Sequence, residues 1–173
     1  MTSEKNEAIA APKISVILPV YNQRPWVVAM TEFAIKSLRL HAADPNFELI
    51  VVEAEHHTCD PAVGSKFSEG LLRVDKYLNF NPKIGGVKEV NAALDAASGE
   101  FILVSGTDII VPPRWDAELL RLFDDMGDCG SACLSAFEPN ATVGPAQPMD
   151  LAVEGMFSPF TMIRRGWRYD EAY

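Results

Sequence analysis

The chain has 173 residues, 48% of them hydrophobic and 23% charged, and its formal net charge is −9. These values are typical of one soluble domain that can bury a core, and the acidic excess argues against non-specific nucleic-acid binding, which needs a basic surface. No apolar run approaches the roughly 20 residues of a membrane span. The amino terminus lacks a signal-peptide pattern, and the three cysteines have no framework spacing. We therefore expect reduced thiols and a cytoplasmic location.

The first predicted elements are a loose lead and a buried strand. Residues 1–12 are polar and rich in alanine, which predicts a flexible lead, and residues 13–173 would then form a single domain. The segment Lys13–Tyr21 is rich in β-branched residues and predicts the first strand. Because Pro19 cannot donate a ladder hydrogen bond, the strand should end near it.

A helix and further strands follow. Asn22 is suited to cap the helix and Pro25 to its first turn, and apolar residues at helical spacing extend the pattern to about His41. These apolar positions are Trp26, Val27, Met30, Phe33, Ala34 and Leu38. Phe47–Val52 predicts a second buried strand, and Leu71–Leu78 a short strand after a polar loop.

The stretch from Gly85 to Trp115 is the centre of the pattern. Lys88–Ser98 carries apolar residues at helical spacing, and Gly99 is suited to end that helix in the left-handed conformation. Phe101–Val104 is an unbroken apolar run, typical of a parallel strand that is covered on both faces. The polar residues that follow, up to Asp108, would lie beyond the carboxyl end of this strand, where open α/β sheets bind ligands. Asp108 is therefore the first candidate for chemistry.

The last third of the chain continues the alternation of helices and strands. Trp115–Met126 predicts a helix, Ser131–Phe137 a strand, Glu138–Pro148 a long loop and Gly155–Ile163 another strand. The β-α-β-α order predicts an α/β fold, a mostly parallel sheet flanked by helices on both faces.

Five segments, in this order, resemble the family 2 glycosyltransferases of the GT-A fold. They are the strand Ile14–Asn22 with its Pro-Val-Tyr-Asn end, the strand Phe47–Glu53, the helix that follows Gly85 and leaves through Ala97–Glu100, the strand Phe101–Asp108, and Arg164–Trp167 with Asp170 and Glu171. The resemblance covers roughly residues 13–173 and implies a single GT-A domain, similar to nucleotide-diphospho-sugar transferases.

The resemblance also implies an activity. Such enzymes transfer a sugar from a UDP-, GDP- or dTDP-sugar to a hydroxyl acceptor, here unknown, with Mn²⁺ or Mg²⁺ stabilising the charge of the leaving diphosphate. By this resemblance Asp108 would hold the metal, and Asp170, with Glu171 second, would be the catalytic base. The residues expected to bind the donor are Pro19, Tyr21, Asn22, Glu53, Glu55, Lys88, Asn91, Thr107 and Arg164.

Structural explanations stand beside these roles. Asp108 can be a turn residue, and Glu53 a solvated loop acid. Lys88 and Asn91 lie near a predicted helix N-terminus, which suits a phosphate, but they equally suit a polar helix face. Arg164 can be a surface cation. A histidine- and cysteine-bearing loop, residues 56–60, could bind a transition metal, although its spacing matches no zinc pattern and favours a polar loop.

Two departures from the family pattern keep a second hypothesis open. Gly106 stands where the family has the first carboxylate of Asp-x-Asp, and family members usually continue beyond Tyr173, so the chain would be a fragment or a short relative. The alternative is a non-catalytic GT-A-like binding or assembly module. A nucleotidyltransferase is a third hypothesis, disfavoured because Val20–Pro25 is not a glycine-rich loop. An apolar face left open by a short chain would favour a homo-oligomer.

Overall fold

The computed structural model describes residues 12–20, 24–54, 70–80, 82–127, 129–133 and 160–170. In chain order the elements are β1 (Ile14–Val20), α1 (Pro25–His41), β2 (Glu48–Ala54), a 3₁₀ turn (Gly70–Leu72), β3 (Lys76–Phe80), α2 (Gly86–Ala96), β4 (Phe101–Ser105), α3 (Trp115–Asp125), β5 (Ser131–Cys133) and β6 (Phe160–Arg164). None of the helices in these ranges combines the length and hydrophobicity that crossing a bilayer requires.

The strands form one mixed sheet in the order β3-β2-β1-β4-β6-β5. The first four in this order pair in parallel, with Ile17 opposite both Ile50 and Val104. β6 runs antiparallel to both β4 and β5. The predicted α/β fold with a mostly parallel sheet is confirmed, and the antiparallel β6 is a feature that the alternating pattern did not reveal.

The helices cover both faces of this sheet. One core cluster joins Val16, Leu18 and Leu103 to residues of α1 and α3, among them Leu38 and the fully buried Trp115. The other cluster joins alternate residues of the same strands to α2. Its strand residues are Ile17, Ile50, Val52, Ile102 and Ile163, and its helix residues are Ala93 and Leu94. Because the sheet is covered on both sides, β1, β2 and β4 are nearly continuous apolar runs, as expected for buried parallel strands.

The amino-terminal edge of the sheet is closed by a polar cluster around Glu48. The Glu48 carboxylate accepts hydrogen bonds from the Ser15 hydroxyl and from the Ser98 N–H at 2.9 Å, and it pairs with the Lys76 ammonium at 2.7 Å. The Gly99 N–H in turn donates to Ser15 Oγ at 2.8 Å. Burial alone would raise the pKa of Glu48, but the hydrogen bonds from Lys76, Ser15 and Ser98 outweigh it and hold the pKa below its ordinary value.

The predicted cap of α1 was wrong. The residue that caps the helix is Arg24, in extended conformation and without a side-chain hydrogen bond, whereas the predicted cap, Asn22, lies outside the described residues. Two of the apolar residues that mark the helix, Trp26 and Phe33, are 58% and 54% exposed. Smaller side chains face the sheet instead, among them Thr31, Ala34 and Ser37.

The prediction for Gly99 was wrong in its physical reason. Helix α2 ends at Ala96, and Ala97 continues in extended conformation. Gly99 is absent from the glycines with positive φ in the described residues. It is required by space, since a Cβ at this position would lie 2.6 Å from the Ser15 nitrogen and 2.8 Å from the Ile14 carbonyl carbon.

Candidate functional site

The carboxyl-terminal edge of the sheet brings together the ends of β1, β2 and β4. Val20 pairs with Glu53 at the end of β2, and β4 ends beside β1 at Ser105. The chain then leaves the sheet through Gly106 and Thr107, which are half-buried, to Asp108, which is exposed. The polar turn predicted beyond the central strand is therefore present, with its carboxylate open to solvent.

The segment that carries Asp108 is anchored at its far end to α1. The Val111 N–H donates to Ser37 Oγ at 3.4 Å, the Val111 carbonyl lies 2.6 Å from Nδ1 of His41, and the Arg114 N–H donates to the His41 carbonyl at 2.6 Å. Arg114 takes a left-handed conformation, with φ of 62°, at the start of α3. These bonds hold the residues after Asp108 against the end of α1, so the loop has a fixed path on that side.

An apolar groove of about 300 Å³ lies beside Asp108. Thr107 and Asp108 form one side of it with Ile109 and Ile110, and α1 forms the other through Ala29, Met30 and Phe33. Ile110 is 74% exposed. The sequence pattern identified Phe33 only as one of the apolar residues that mark the helix, and it did not reveal this groove.

The donor set at Asp108 fits a divalent cation that is completed by a ligand. No group of three or more histidine, cysteine or acidic side chains that could hold a metal occurs among the described residues. Asp108 offers one exposed carboxylate, and magnesium-type cations are commonly held by one or two carboxylates together with substrate phosphates. The arrangement therefore suits a metal that binds with a phosphorylated ligand rather than a pre-formed metal centre.

Pro19 and Glu53 lie at the same edge as Asp108. Pro19 is half-buried and pairs with Val52, one position before the end of β1. Glu53 is only 1% exposed and lies between Val20 on one side and Asn79 on the other. Glu53 is therefore a buried strand residue at the rim of the site. The alternative expectation, that it is a solvated loop acid, was wrong.

The amino terminus of α2 carries a buried acid that sequence reasoning missed. Glu89 is 3% exposed, and its Oε1 accepts hydrogen bonds from the N–H groups of Ile84 at 3.1 Å and Gly85 at 3.2 Å. The signal in the sequence was an acid in the first turn after Gly85-Gly86. Since a carboxylate already lies at this helix terminus, the expected attraction for phosphate is weakened there. Lys88 is exposed at the same terminus.

Asn91 has a different environment from the one predicted. Its side chain is fully buried, the amide nitrogen donates to the Tyr169 carbonyl at 3.0 Å, and the amide oxygen accepts from the Tyr169 N–H at 3.0 Å. Asp170, the predicted base, follows directly and is exposed. Burial raises the pKa of Tyr169. Asn91 therefore contacts the protein backbone, so we do not retain it as a donor-binding residue.

Arg164 lies at the opposite edge of the sheet. It pairs with Phe101, the first residue of β4, whereas Ser105, at the carboxyl end of β4, pairs with Phe160. Four residues of strand separate Arg164 from the site edge, roughly 13 Å at about 3.3 Å per residue. Its guanidinium lies over the rings of Phe101 and Phe123, at 5.2 and 5.3 Å. The structure does not bring Arg164 close to Asp108, and its contact with the diphosphate stays a prediction.

Four predicted site residues fall outside the described part of the chain, namely Tyr21, Asn22, Glu55 and Glu171. The same holds for the loop of residues 56–60.

Comparison with solved structures identifies the class of this fold. The chain is similar to the mannosyltransferase PcManGT from Pyrobaculum calidifontis, solved with GDP-Man and Mn²⁺, with a TM-score of 0.59, 21% identity, and coverage of 72% of this chain and 36% of that one. It is also similar to S. aureus TarS 1-349 solved with UDP, with a TM-score of 0.64, 21% identity, and coverage of 88% and 47%. The domain thus has the GT-A fold.

The family is established by sequence. The family model described as Glycosyl transferase family 2 matches residues 15–170, so the chain belongs to this family. It is 26% identical over 117 residues to the putative glycosyltransferase EpsH of Bacillus subtilis (strain 168), which covers 68% of this chain and 32% of that protein. It is 33% identical over 91 residues to the GalNAc(5)-diNAcBac-PP-undecaprenol beta-1,3-glucosyltransferase of Campylobacter jejuni, covering 53% and 28%. The chain spans about a third of the length of these relatives.

Proposed function

We propose that this domain binds a nucleotide-sugar at the carboxyl-terminal edge of its sheet and transfers the sugar to a hydroxyl acceptor. The observation that carries the proposal is the position of Asp108, an exposed carboxylate directly beyond the central strand β4. Open α/β sheets bind ligands beyond the carboxyl ends of their strands, and one relative of this chain is a named glucosyltransferase, so we propose that Asp108 meets the donor diphosphate.

Asp108 would hold a divalent cation, Mn²⁺ or Mg²⁺, together with the diphosphate oxygens. When bound, such a cation supplies Lewis-acid stabilisation of the charge that develops on the leaving group. The half-buried Thr107 precedes Asp108 on the same turn, and its hydroxyl would donate to the same anion. Lys88, exposed at the amino terminus of α2, would add a cation at this edge.

The nucleoside would lie against the ends of β1 and β2. Pro19 and the buried Glu53 form that part of the edge, and an acid at the end of the second strand suits a hydrogen bond to a base or ribose hydroxyl. We propose the same region for Tyr21, Asn22 and Glu55 on sequence grounds alone. UDP- and GDP-sugars are the first donors to test because related structures bind UDP and GDP-Man; a dTDP-sugar is the third.

The reaction also needs a base for the acceptor hydroxyl. Asp170 is the described residue we propose for this role, since it is exposed and follows a segment that is fixed on α2. Glu171 is the second choice. The proton of the acceptor hydroxyl would pass to the Asp170 carboxylate as the oxygen attacks the sugar.

The second candidate is a GT-A module that binds without catalysing transfer. It is favoured by Gly106, which leaves a single carboxylate on the turn that carries Asp108. The two functions predict different nucleotide binding, because a module of this kind needs no metal-dependent affinity for a nucleoside diphosphate.

Calorimetric titration of UDP, GDP and dTDP, each with and without Mn²⁺, tests the proposal. We expect one nucleotide to bind with Mn²⁺, and Asp108→Ala to weaken that binding at least tenfold while Mn²⁺-free binding stays unchanged. Asp124→Ala is the matched control, because Asp124 is an exposed acid on α3 and away from the loop. If no nucleotide binds, or if the two variants behave alike, the metal role of Asp108 is wrong and the binding module is favoured.

A cytoplasmic location and a homo-oligomer remain predictions. Light scattering coupled to size exclusion tests the second, and a clean monomer would contradict it.

A further inference from the structure

We propose that Asn91 is a positioning residue for Asp170. Its buried side-chain amide holds the backbone of Tyr169 and so fixes the carboxylate that follows. The inference rests on the proposed function, because it concerns the base of the sugar transfer. In this role Asn91 acts on the reaction through the position of Asp170 and does not contact the donor.

The chain after β6 turns back along α2. At the amino-terminal edge of the sheet, the Arg165 N–H donates to the Glu100 carbonyl at 2.9 Å. The chain then reverses through Gly166, whose φ is 101°. Next, Arg168 pairs with Asp95 near the end of α2 at 3.0 Å. We call residues 165–170 the return segment.

The contacts of the return segment run towards the amino terminus of α2. Arg168 meets Asp95, and Tyr169 meets Asn91, four residues earlier in the helix. Four residues are about one turn, roughly 5.4 Å of rise per turn. Helix α2 begins at Gly86, after β3 has reached the carboxyl-terminal edge. The return segment therefore runs from the amino-terminal edge of the sheet back towards the edge where Asp108 lies, and Asp170 is its last residue.

The hydrogen-bond pair at Tyr169 needs an amide. One side chain must donate to the Tyr169 carbonyl and accept from the Tyr169 N–H, both at 3.0 Å, and an apolar or acidic side chain cannot do both. Tyr169 also packs on the α2 side of the core and makes an edge contact with Trp167, with ring centroids 4.5 Å apart. The Arg168–Asp95 pair is exposed on both sides and adds little. Asn91 is thus a buried polar contact that fixes this point of the segment.

The chemistry explains why position matters here. In transfer to water, the Asp170 carboxylate takes a proton from the water as its oxygen bonds to the anomeric carbon, and the bond from that carbon to the diphosphate oxygen breaks with its electron pair. A base must lie within hydrogen-bond reach of the proton it removes. A displacement of about 1 Å can cost on the order of 10²-fold in rate. Releasing the Tyr169 backbone should therefore lower kcat and leave the affinity for the donor unchanged.

The test compares Asn91→Ala, Asp170→Asn and the double variant, with Arg168→Ala as the matched control on the same segment. The assay measures nucleoside diphosphate release from UDP-GlcNAc, UDP-Glc and GDP-Man in the presence of Mn²⁺, with water as acceptor. We expect Asn91→Ala to lower kcat about 10²-fold with a donor Kd within threefold of wild type. The double variant should be no slower than Asp170→Asn within about threefold, and Arg168→Ala should match wild type.

The outcomes separate this inference from the proposed function. A wild-type protein that neither binds nor hydrolyses these donors, and that does not bind dTDP either, overturns the proposed function and with it the inference. A wild-type protein that turns over while Asn91→Ala keeps its kcat overturns the inference alone, as does a fully additive loss in the double variant. If Asn91→Ala does not fold, the nearly isosteric Asn91→Asp, which still accepts from the Tyr169 N–H, replaces it under the same criteria.

Discussion

Gly99→Ala should destabilise the protein through a steric clash with β1. The added Cβ would lie 2.6 Å from the Ser15 nitrogen, 2.8 Å from the Ile14 carbonyl carbon and 2.8 Å from Ser15 Oγ. Two of these three atoms belong to the backbone of a central strand, which cannot move aside as a flexible side chain can. Strand β1 and the turn before β4 must therefore separate, or β1 must bend.

The magnitude follows from two terms. Forcing one extra methyl group into a packed site typically costs about 1–3 kcal/mol. The hydrogen bond from the Gly99 N–H to Ser15 Oγ, 2.8 Å long, would be lost or stretched, which adds about 1 kcal/mol. We expect a total of about 2–4 kcal/mol, which for a chain of this size lowers Tm by about 4–16 °C.

Urea unfolding followed by far-UV circular dichroism measures this change. The control is Gly130→Ala, because a Cβ at Gly130 meets no atom within 4 Å and the residue has no positive φ. We expect the Gly99 variant to lower the midpoint at an unchanged slope, and the Gly130 variant to be neutral or slightly stabilising. A Gly99→Ala protein within about 0.5 kcal/mol of wild type would refute the steric explanation.

Two further predictions concern buried charges. Glu48→Gln should cost about 1–2 kcal/mol at pH 7, since it removes the ion pair with the partly exposed Lys76. Because hydrogen bonds hold the Glu48 pKa below its ordinary value, this contribution is fully present at neutral pH and is lost as the pH falls through the lowered folded-state pKa. Urea midpoints of the two proteins should therefore converge only at a pH below the ordinary range of a glutamate, whereas the exposed Glu118→Gln should show no such difference. Arg39→Lys should cost about 2–3 kcal/mol, because the buried guanidinium donates to three backbone carbonyls and one carboxylate. Thermal unfolding measures this loss, and the control Arg164→Lys should have a Tm near that of the wild type.

Strands covered on both faces could be predicted from sequence because burial dictates their composition. β1, β2 and β4 appear as nearly continuous apolar runs, and the structure confirms all three strands. The exposed side of α1 could not be predicted in the same way. Trp26 and Phe33 have helical spacing, but they lie on the solvent side, while polar Thr31 is buried, its hydroxyl bonded to the Val27 carbonyl at 3.0 Å. Hydrophobicity alone does not identify the inner face when small residues fill it.

The residues of the candidate site also differ in whether their positions could be predicted from sequence. Asp108 could be placed from sequence, because its position depends only on where β4 ends. The environments of Asn91 and Arg164 could not be predicted, because they depend on the direction of β6 and on the path of the chain after it. An antiparallel β6 puts Arg164 at the far edge and returns Tyr169 to α2. Neither consequence follows from the local sequence around Arg164.

The acids at the two edges of the sheet differ in how many hydrogen bonds and ion pairs the protein makes to their carboxylates. Glu48, at the amino-terminal edge, receives hydrogen bonds or an ion pair from Ser15, Lys76 and Ser98, so its lone pairs are occupied by the fold. Within the described ranges no such partner engages the carboxylate of Asp108, which is exposed. A carboxylate that the fold leaves open can bind a cation at little structural cost, whereas Glu48 would have to break three contacts to do so. This difference in hydrogen bonding supports the proposal that Asp108, placed beyond β4, binds the ligand, and it indicates a structural role for Glu48.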